Sequence, residues 1–312
     1  MVKVIHEGFA ICTGCELAIL DIGEALLDIL PKLEFEHIQV LMDNKYYGSL
    51  GEGSHIELPN ADVGIISGGI RTEEMKELAK IMRENSKILI SLGSCACFGG
   101  IPALANMSTR DELFATVYGT KSTDTGSTPS EGIPKLLDRV YGVDEVIKVD
   151  VSIPGCPPVS DVVADALTSL LAGKEWALPQ KSVCDECPTK REKKADVKLR
   201  RPYEAPEFDP TKGPEAMRCL NEQGILCLGP VTRVGCRGKS ESPRCISAFM
   251  PCRGCFGPIR PGANPAVDMM GALSSIGLDI KAIDDRMATM NRYRGAHNNL
   301  RVLPKKKPVG GR

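Results

Sequence analysis

Thirteen cysteines against four histidines, in a chain of 312 residues, constrain this molecule more than any other feature. The first pair, in Cys12-Thr13-Gly14-Cys15, follows a short apolar stretch and opens an apolar helix. Two cysteines this close can bite one metal centre, and Gly14 is expected to let the backbone turn tightly around it. Cys95, in Gly93-Ser94-Cys95-Ala96-Cys97-Phe98-Gly99-Gly100, and Cys156, in Pro154-Gly155-Cys156-Pro157-Pro158, each follow a predicted strand. In an open parallel sheet the loops at the carboxyl ends of the strands converge on one crevice. Four thiolates from three distant loops would then make one iron-sulfur site.

Eight more cysteines fall within 72 residues: Cys184, Cys187, Cys219, Cys227, Cys236, Cys245, Cys252 and Cys255. The simplest partition gives Cys184, Cys187, Cys219 and Cys227 to one centre and Cys236, Cys245, Cys252 and Cys255 to another. Each set has one CxxC pair and two further thiols, which suits a four-iron cubane. Cys97 is left over, as a small buried hydrophobe beside the first site or as its ligand in place of Cys95 if the register is displaced by two. Three zinc ions would use the same twelve ligands, and ligand count does not separate the two metals. Against zinc, the first set comes from three distant loops rather than a compact ribbon.

Other signals set the frame. The length predicts two domains, and 42% hydrophobic content supports a sizeable core. A formal charge of −1 argues against a nucleic-acid partner held through phosphates. The first residues form no charged-then-apolar leader, and no run of about eighteen apolar residues appears, so a cytoplasmic protein with no membrane span is expected. In a reducing compartment abundant cysteines read as metal ligands rather than disulfides. There is no GxGxxG, no phosphate loop and no Gly-x-Ser-x-Gly. His6, His37, His55 and His297 lack ligand spacing and are expected at the surface or in packing.

Strands are expected over residues 2–9, 37–42, 61–67, 87–92 and 145–151. Helices are expected after Cys15, through Ile19, Ile22, Leu26 and Ile29 to Pro31; after a Thr72 cap, with Met75, Leu78, Ala79 and Met82 inward; through Ile133, Leu136, Leu137 and Val140; and after a Ser160 cap. Residues 108–130 are polar and suggest a surface excursion. This alternation predicts a parallel α/β domain with helices on both faces over residues 1–178. Residues 179–312 have few apolar runs, so metal rather than packing is expected to order them. Residues 188–198 look like a charged linker, 264–283 could be helical, and the Lys305-Lys306-Lys307 tail is expected to be solvated.

The cysteine motifs resemble those of nickel-iron hydrogenase small subunits, as do Cys227-Leu228-Gly229-Pro230-Val231-Thr232-Arg233-Val234-Gly235-Cys236 and Pro251-Cys252-Arg253-Gly254-Cys255-Phe256. Five motifs in one order span residues 12 to 255. The resemblance implies a flavodoxin-like domain, an irregular iron-sulfur cluster-binding domain, and three 4Fe-4S clusters in a row. Cys12, Cys15, Cys95 and Cys156 would hold the proximal cluster, Cys236, Cys245, Cys252 and Cys255 the medial one, and Cys184, Cys187, Cys219 and Cys227 the distal one. Three departures from the periplasmic members, namely no twin-arginine leader, Cys184 where they have histidine, and Cys245 where they have proline, resemble the methanogen-type cytosolic enzymes. No CxxCxxCxxxCP run of the deazaflavin-reducing branch is present, so the viologen-reducing, non-deazaflavin branch fits better.

That branch implies that the chain passes electrons from H2 oxidation on a separate large subunit, which carries the nickel-iron centre, to a small iron-sulfur electron-transfer subunit and the heterodisulfide reductase complex. No catalytic residue is expected in this chain. The alternatives are the small subunit of a deazaflavin-reducing hydrogenase, a free-standing multi-cluster electron carrier, and a zinc-bound structural protein.

Overall fold

The structure, a computed structural model, describes residues 1–302 apart from 40, 41, 43, 44, 49–51, 124–127, 129, 193, 196, 197 and 201–205. The chain begins with β1 (Val2–Gly8), α1 (Gly14–Leu20), α2 (Ala25–Ile29), β2 (Leu33–Ile38), β3 (Ala61–Ser67), β4 (Ile70–Thr72), α3 (Glu73–Asn85) and β5 (Ser86–Leu92). It continues through α4 (Gly93–Phe98), α5 (Arg110–Tyr118), β6 (Leu136–Tyr141), β7 (Val151–Ile153) and α6 (Ser160–Leu171). Five strands pair in parallel in the order β2-β1-β3-β5-β7. This is the flavodoxin-like doubly wound arrangement, whose crevice opens at the switch point between β1 and β3.

β3 and β5 are almost continuously apolar because helices cover both sheet faces. On one face Ile5, Ile66 and Leu89 pack against Leu78, Ala79 and Met82 of α3. On the other, Val4, Ile65 and Ile90 pack against Val162, Val163 and Ala166 of α6. Each such side chain contributes about 1.5–3 kcal/mol when fully buried. α3 starts as expected, with the Thr72 hydroxyl accepting the Met75 amide at 3.1 Å.

Several local expectations are corrected. The segment expected to be one helix through Val140 contains β6, antiparallel to β4. Tyr141 pairs with Ile70 and Leu136 with Thr72, so β6 carries extra residues. That irregularity puts the buried Leu137 and Val140 three apart and mimics a helical period. The expected strand 145–151 is a 3-10 turn, Val143–Glu145, followed by the three residues of β7. The helix after Cys15 breaks into α1 and α2 through a turn containing Gly23, a poor helix former. The second strand is Leu33–Ile38, earlier than expected, and residues 40 and 41 of the expected span lie outside the described residues. Within 108–130 lies α5, closed by a Thr109/Glu112 capping box and burying none of its residues. A helix without an apolar stripe leaves no periodic trace. Ser160 is the first residue of α6 rather than its cap, and Val159 precedes it with no side-chain capping bond. Residues 193, 196 and 197 of the linker-like stretch and the lysine tail lie outside the described residues.

The rest of the chain holds α7 (Arg244–Ser247), α8 (Pro265–Ser274), α9 (Arg286–Met290) and 3-10 turns joined by long connections. Contrary to expectation it does build cores. One gathers Leu226, Leu228, Val231, Met269, Leu273 and Met290, and a second gathers Val183, Met217, Leu220, Ile225 and Ile246 around Cys227 and Cys252. Phe256, 1% exposed, joins the sheet-face cluster on the α6 side, so the two halves share packing. Residues 294–300 return to the first half: Ala296 N–H donates to Phe98 O, Arg139 donates to the Asn298 side chain at 3.0 Å, and His297 meets Asp144 at 2.8 Å.

Candidate metal centres

The loop after β1 carries Cys12, exposed, and Cys15, buried at the start of α1. The tight turn between them is made by Thr13 at φ 63, not by Gly14 as the sequence suggests. A left-handed β-branched residue is strained, by roughly 1–2 kcal/mol. Cys95 comes from the first turn of α4 after β5, and Cys156 from the loop after β7. All four therefore stand at the carboxyl rim of the sheet, where a Cβ on Gly14 would touch both the Cys12 sulfur and Pro157, and one on Gly93 both the Cys15 sulfur and the Gly155 carbonyl. Two glycines make the approach possible. A Cβ on Gly93 (φ 85) would come within 2.3 Å of the Cys15 sulfur, and one on Gly100 (φ 54) within 2.3 Å of the Cys95 sulfur. Cys97 is 3% exposed and bonded to the Ser91 hydroxyl at 3.3 Å, so Cys95 rather than Cys97 faces Cys12 and Cys156.

The later cysteines fall into two groups. Cys236, Cys245, Cys252 and Cys255 line a cavity of about 150 Å³ that Cys156 also reaches. Cys184, Cys187, Cys219 and Cys227 line a narrower one with Thr189, Arg191 and Gly229. The Arg191 guanidinium donates to the Cys184 carbonyl, and Cys187 lies 3.2 Å from the Thr189 hydroxyl. Among the described residues no three His, Cys, Asp or Glu side chains converge on the position of one metal ion. The three groups are joined end to end. Cys156 lines the same cavity as Cys255, and the Ser94 hydroxyl donates to the Cys255 carbonyl. At the other end the Cys252 amide donates to the Cys227 thiol at 3.2 Å.

Burial disfavours the thiolate at the enclosed positions of all three groups. It pushes Cys95, Cys184 and Cys236 up to about 12 and Cys252 to about 11, and raises Cys15, Cys156, Cys219, Cys227, Cys245 and Cys255. Against this the backbone aims N–H donors at sulfur: Ile101 at Cys95, Asn221 and Glu222 at Cys219, Gly229 at Cys227, Arg244 at Cys236, Arg253 at Cys245 and Gly254 at Cys252. Such donors favour the charged form and are of most use to sulfur that carries negative charge.

Two polar groups beside this rim escaped the sequence reading. Glu7, 0% exposed, pairs with His37 at 2.6 Å and accepts from Tyr46 at 3.1 Å. On the opposite side of β1, His6 meets both the Ser67 hydroxyl and Glu16 at 3.1 Å, and Ser67 also bonds Glu16. Burial pushes the Glu16 carboxyl up, but bonds from His6 and Ser67 outweigh it and hold the group below the usual carboxylate range. His6 and His37 are both buried, within the expectation of surface or packing positions, but in paired networks whose sequence signal was the adjacent ionisable pair His6-Glu7 inside an apolar strand. His55 is exposed, and His297 bridges to Asp144.

The profile of the family described as NADH ubiquinone oxidoreductase, 20 Kd subunit, matches residues 12–170. The vhu F420-non-reducing hydrogenase of Methanocaldococcus jannaschii has a subunit 40% identical to this chain over 284 residues, covering 90% of this chain and 91% of that protein. This chain belongs to the family of nickel-iron hydrogenase small subunits. The corresponding component of the F420-non-reducing hydrogenase of Methanothermobacter thermautotrophicus is also 40% identical, over 88% of this chain and 83% of its own. The structure of the H2-activated [NiFeSe]-hydrogenase of Dm. baculatum shares the fold, with a TM-score of 0.50 and 18% identity over 84% of this chain and 96% of that one. This small subunit is an iron-sulfur, electron-transferring component of an oxidoreductase whose catalytic site is on the large subunit. The donors fit that chemistry, because soft thiols arranged in groups and met by backbone N–H groups are what an iron-sulfur core requires. No described helix is long and apolar enough to cross a membrane.

Proposed function

We propose that the chain carries electrons from H2 oxidation along three 4Fe-4S clusters. Cys12, Cys15, Cys95 and Cys156 hold the proximal cluster, Cys236, Cys245, Cys252 and Cys255 the medial, and Cys184, Cys187, Cys219 and Cys227 the distal. The single observation that carries this reading is the row. A proximal cysteine, Cys156, reaches the cavity lined by the medial thiols, and a medial cysteine, Cys252, donates its amide to a distal thiol. A bound cluster supplies a one-electron centre, and the chain provides thiolates, spacing and N–H donors to sulfur. The residues 1–178 and 179–312 act as the proximal and the medial-distal domains, sharing Phe256 at their junction.

The proximal end is the face toward the large subunit. Cys12 and Cys156 are exposed there, and α1 presents Leu17 and Leu20, each more than half exposed. An obligate interface of this type buries roughly 2,000 Å² or more. The named relatives are components of F420-non-reducing hydrogenases, which supports membership of a hydrogenase complex; we extend the proposal to a cytoplasmic complex that delivers electrons from the distal end to a small iron-sulfur protein and on to heterodisulfide reductase.

Purification of the complex tests the reading. About twelve irons and as many acid-labile sulfides on this chain, with a nickel-containing partner, are expected. Zinc in place of iron, or a fully loaded chain without a nickel partner, would refute it.

A further inference from the structure

Arg294 is the largest fully buried side chain among the described residues, 1% exposed. Its two terminal nitrogens donate to the carbonyls of Val231 at 3.2 Å and Met290 at 2.9 Å, while its Nε is buried without any partner. No described carboxylate forms an ion pair with it. Burial lowers its pKa only to about 10, so the guanidinium stays charged at neutral pH. A buried cation without an anion is costly, by several kcal/mol.

The candidate anions are sulfur. After burial, Cys252 and Cys255 act most strongly on the guanidinium, ahead of Asp268. The loop between those cysteines lies against it, since a Cβ on Gly254 would sit 3.4 Å from Arg294 Nη2 and 3.5 Å from its Cζ. The Arg294 backbone meanwhile bridges Gly100, beside Cys95. The residue therefore spans the junction between the proximal and medial groups. A cubane with four thiolates carries roughly two negative charges when oxidised and three when reduced. Such an anion answers both the missing counter-charge and the unpartnered Nε.

We propose that Arg294 is the counter-cation of the medial cluster, stabilising its reduced form and so raising its reduction potential. This rests on the reading that Cys236, Cys245, Cys252 and Cys255 hold a cluster. Arg294 is a positioning and tuning residue and touches no substrate. Arg253, which also acts on Cys245, is more accessible, so its charge is better screened by water.

The test is an EPR-monitored redox titration of the purified complex carrying Arg294→Gln, Arg294→Lys or Arg253→Gln. In Arg294→Gln the medial reduction equilibrium shifts at least tenfold toward the oxidised form, about 59 mV downward for one electron, with the proximal and distal signals unmoved. Arg294→Lys stays near the wild type, and Arg253→Gln shifts less. Loss of the medial signal in the Gln variant but not in the Lys variant would equally support a role for the charge. An unmoved medial potential in a fully loaded Gln variant overturns the proposal, as does loss of the cluster in the Gln and Lys variants alike, which would make Arg294 a packing piece. A wild-type complex without a third cluster on this chain instead sinks the ligand assignment, and iron analysis before mutation tells the two failures apart.

Discussion

Glu7 and His37 are ionisable groups placed in the driest part of the sheet, and their pairing at 2.6 Å is what makes that tolerable. Removing one partner strands the other, which costs about 3–5 kcal/mol. His37→Ala is expected to destabilise the chain by that amount in denaturant unfolding of the loaded complex, whereas His55→Ala, at an exposed position, has little effect. His297 is a second residue-scale case. The bond to Asp144 lifts its pKa above 6.5 against the opposing effect of burial. Its contribution is present in full below 6.5 and fades as pH rises through the lifted value. With both side chains partly exposed the effect is small. Melting temperature should fall modestly as pH rises through that window, and Asp144→Asn should flatten the trend. A slope unchanged in that variant would assign the effect elsewhere. The partner of each histidine is distant in sequence, so neither pair was legible there.

Among the elements, the strand-to-loop junctions carry the chemistry. The motifs around Cys12, Cys95 and Cys156 were readable because each follows an apolar strand, and parallel strands send such loops to one rim. Gly93 and Gly100 were visible as letters, but their task is set by sulfur atoms held in place by the fold. Gly93→Ala forces a Cβ against Cys15, so the purified variant should lose the proximal share of iron, about four atoms per chain, while keeping the medial and distal signals. Full iron content in that variant would show that the rim yields more than its geometry suggests. β6 was misread because the bulged pairing with β4 spaces its buried residues like those of a helix. Helix α5 left no trace because it buries none of its residues and so carries no apolar stripe.

At the scale of the whole molecule, buried thiols with raised pKa values couple folding to metal. Chain without clusters holds these groups protonated at neutral pH, and loading them releases about one proton per ligated thiol. Stripping iron anaerobically from the complex should remove amide-exchange protection around residues 184–256 first, leaving β3 and β5 protected. Uniform loss across both regions would mean that the second half does not depend on metal more than the sheet does. One of its two apolar cores moderates the effect, since packing around Leu226 and Met269 does not involve the cysteines directly, whereas the other is built around Cys227 and Cys252.

The strand-helix alternation, local in the chain, was enough to determine a parallel α/β domain, and the cysteine motifs carried a resemblance to the hydrogenase small-subunit family that the relatives bear out. Only the folded molecule decided that Thr13 rather than Gly14 makes the tight turn, that Cys95 rather than Cys97 faces the proximal group, and that a cation 39 positions beyond Cys255 lies against the medial loop. Those outcomes depend on burial and on contacts between remote segments. Periodicity and motif report the conformation a stretch prefers, not what the rest of the chain places against it.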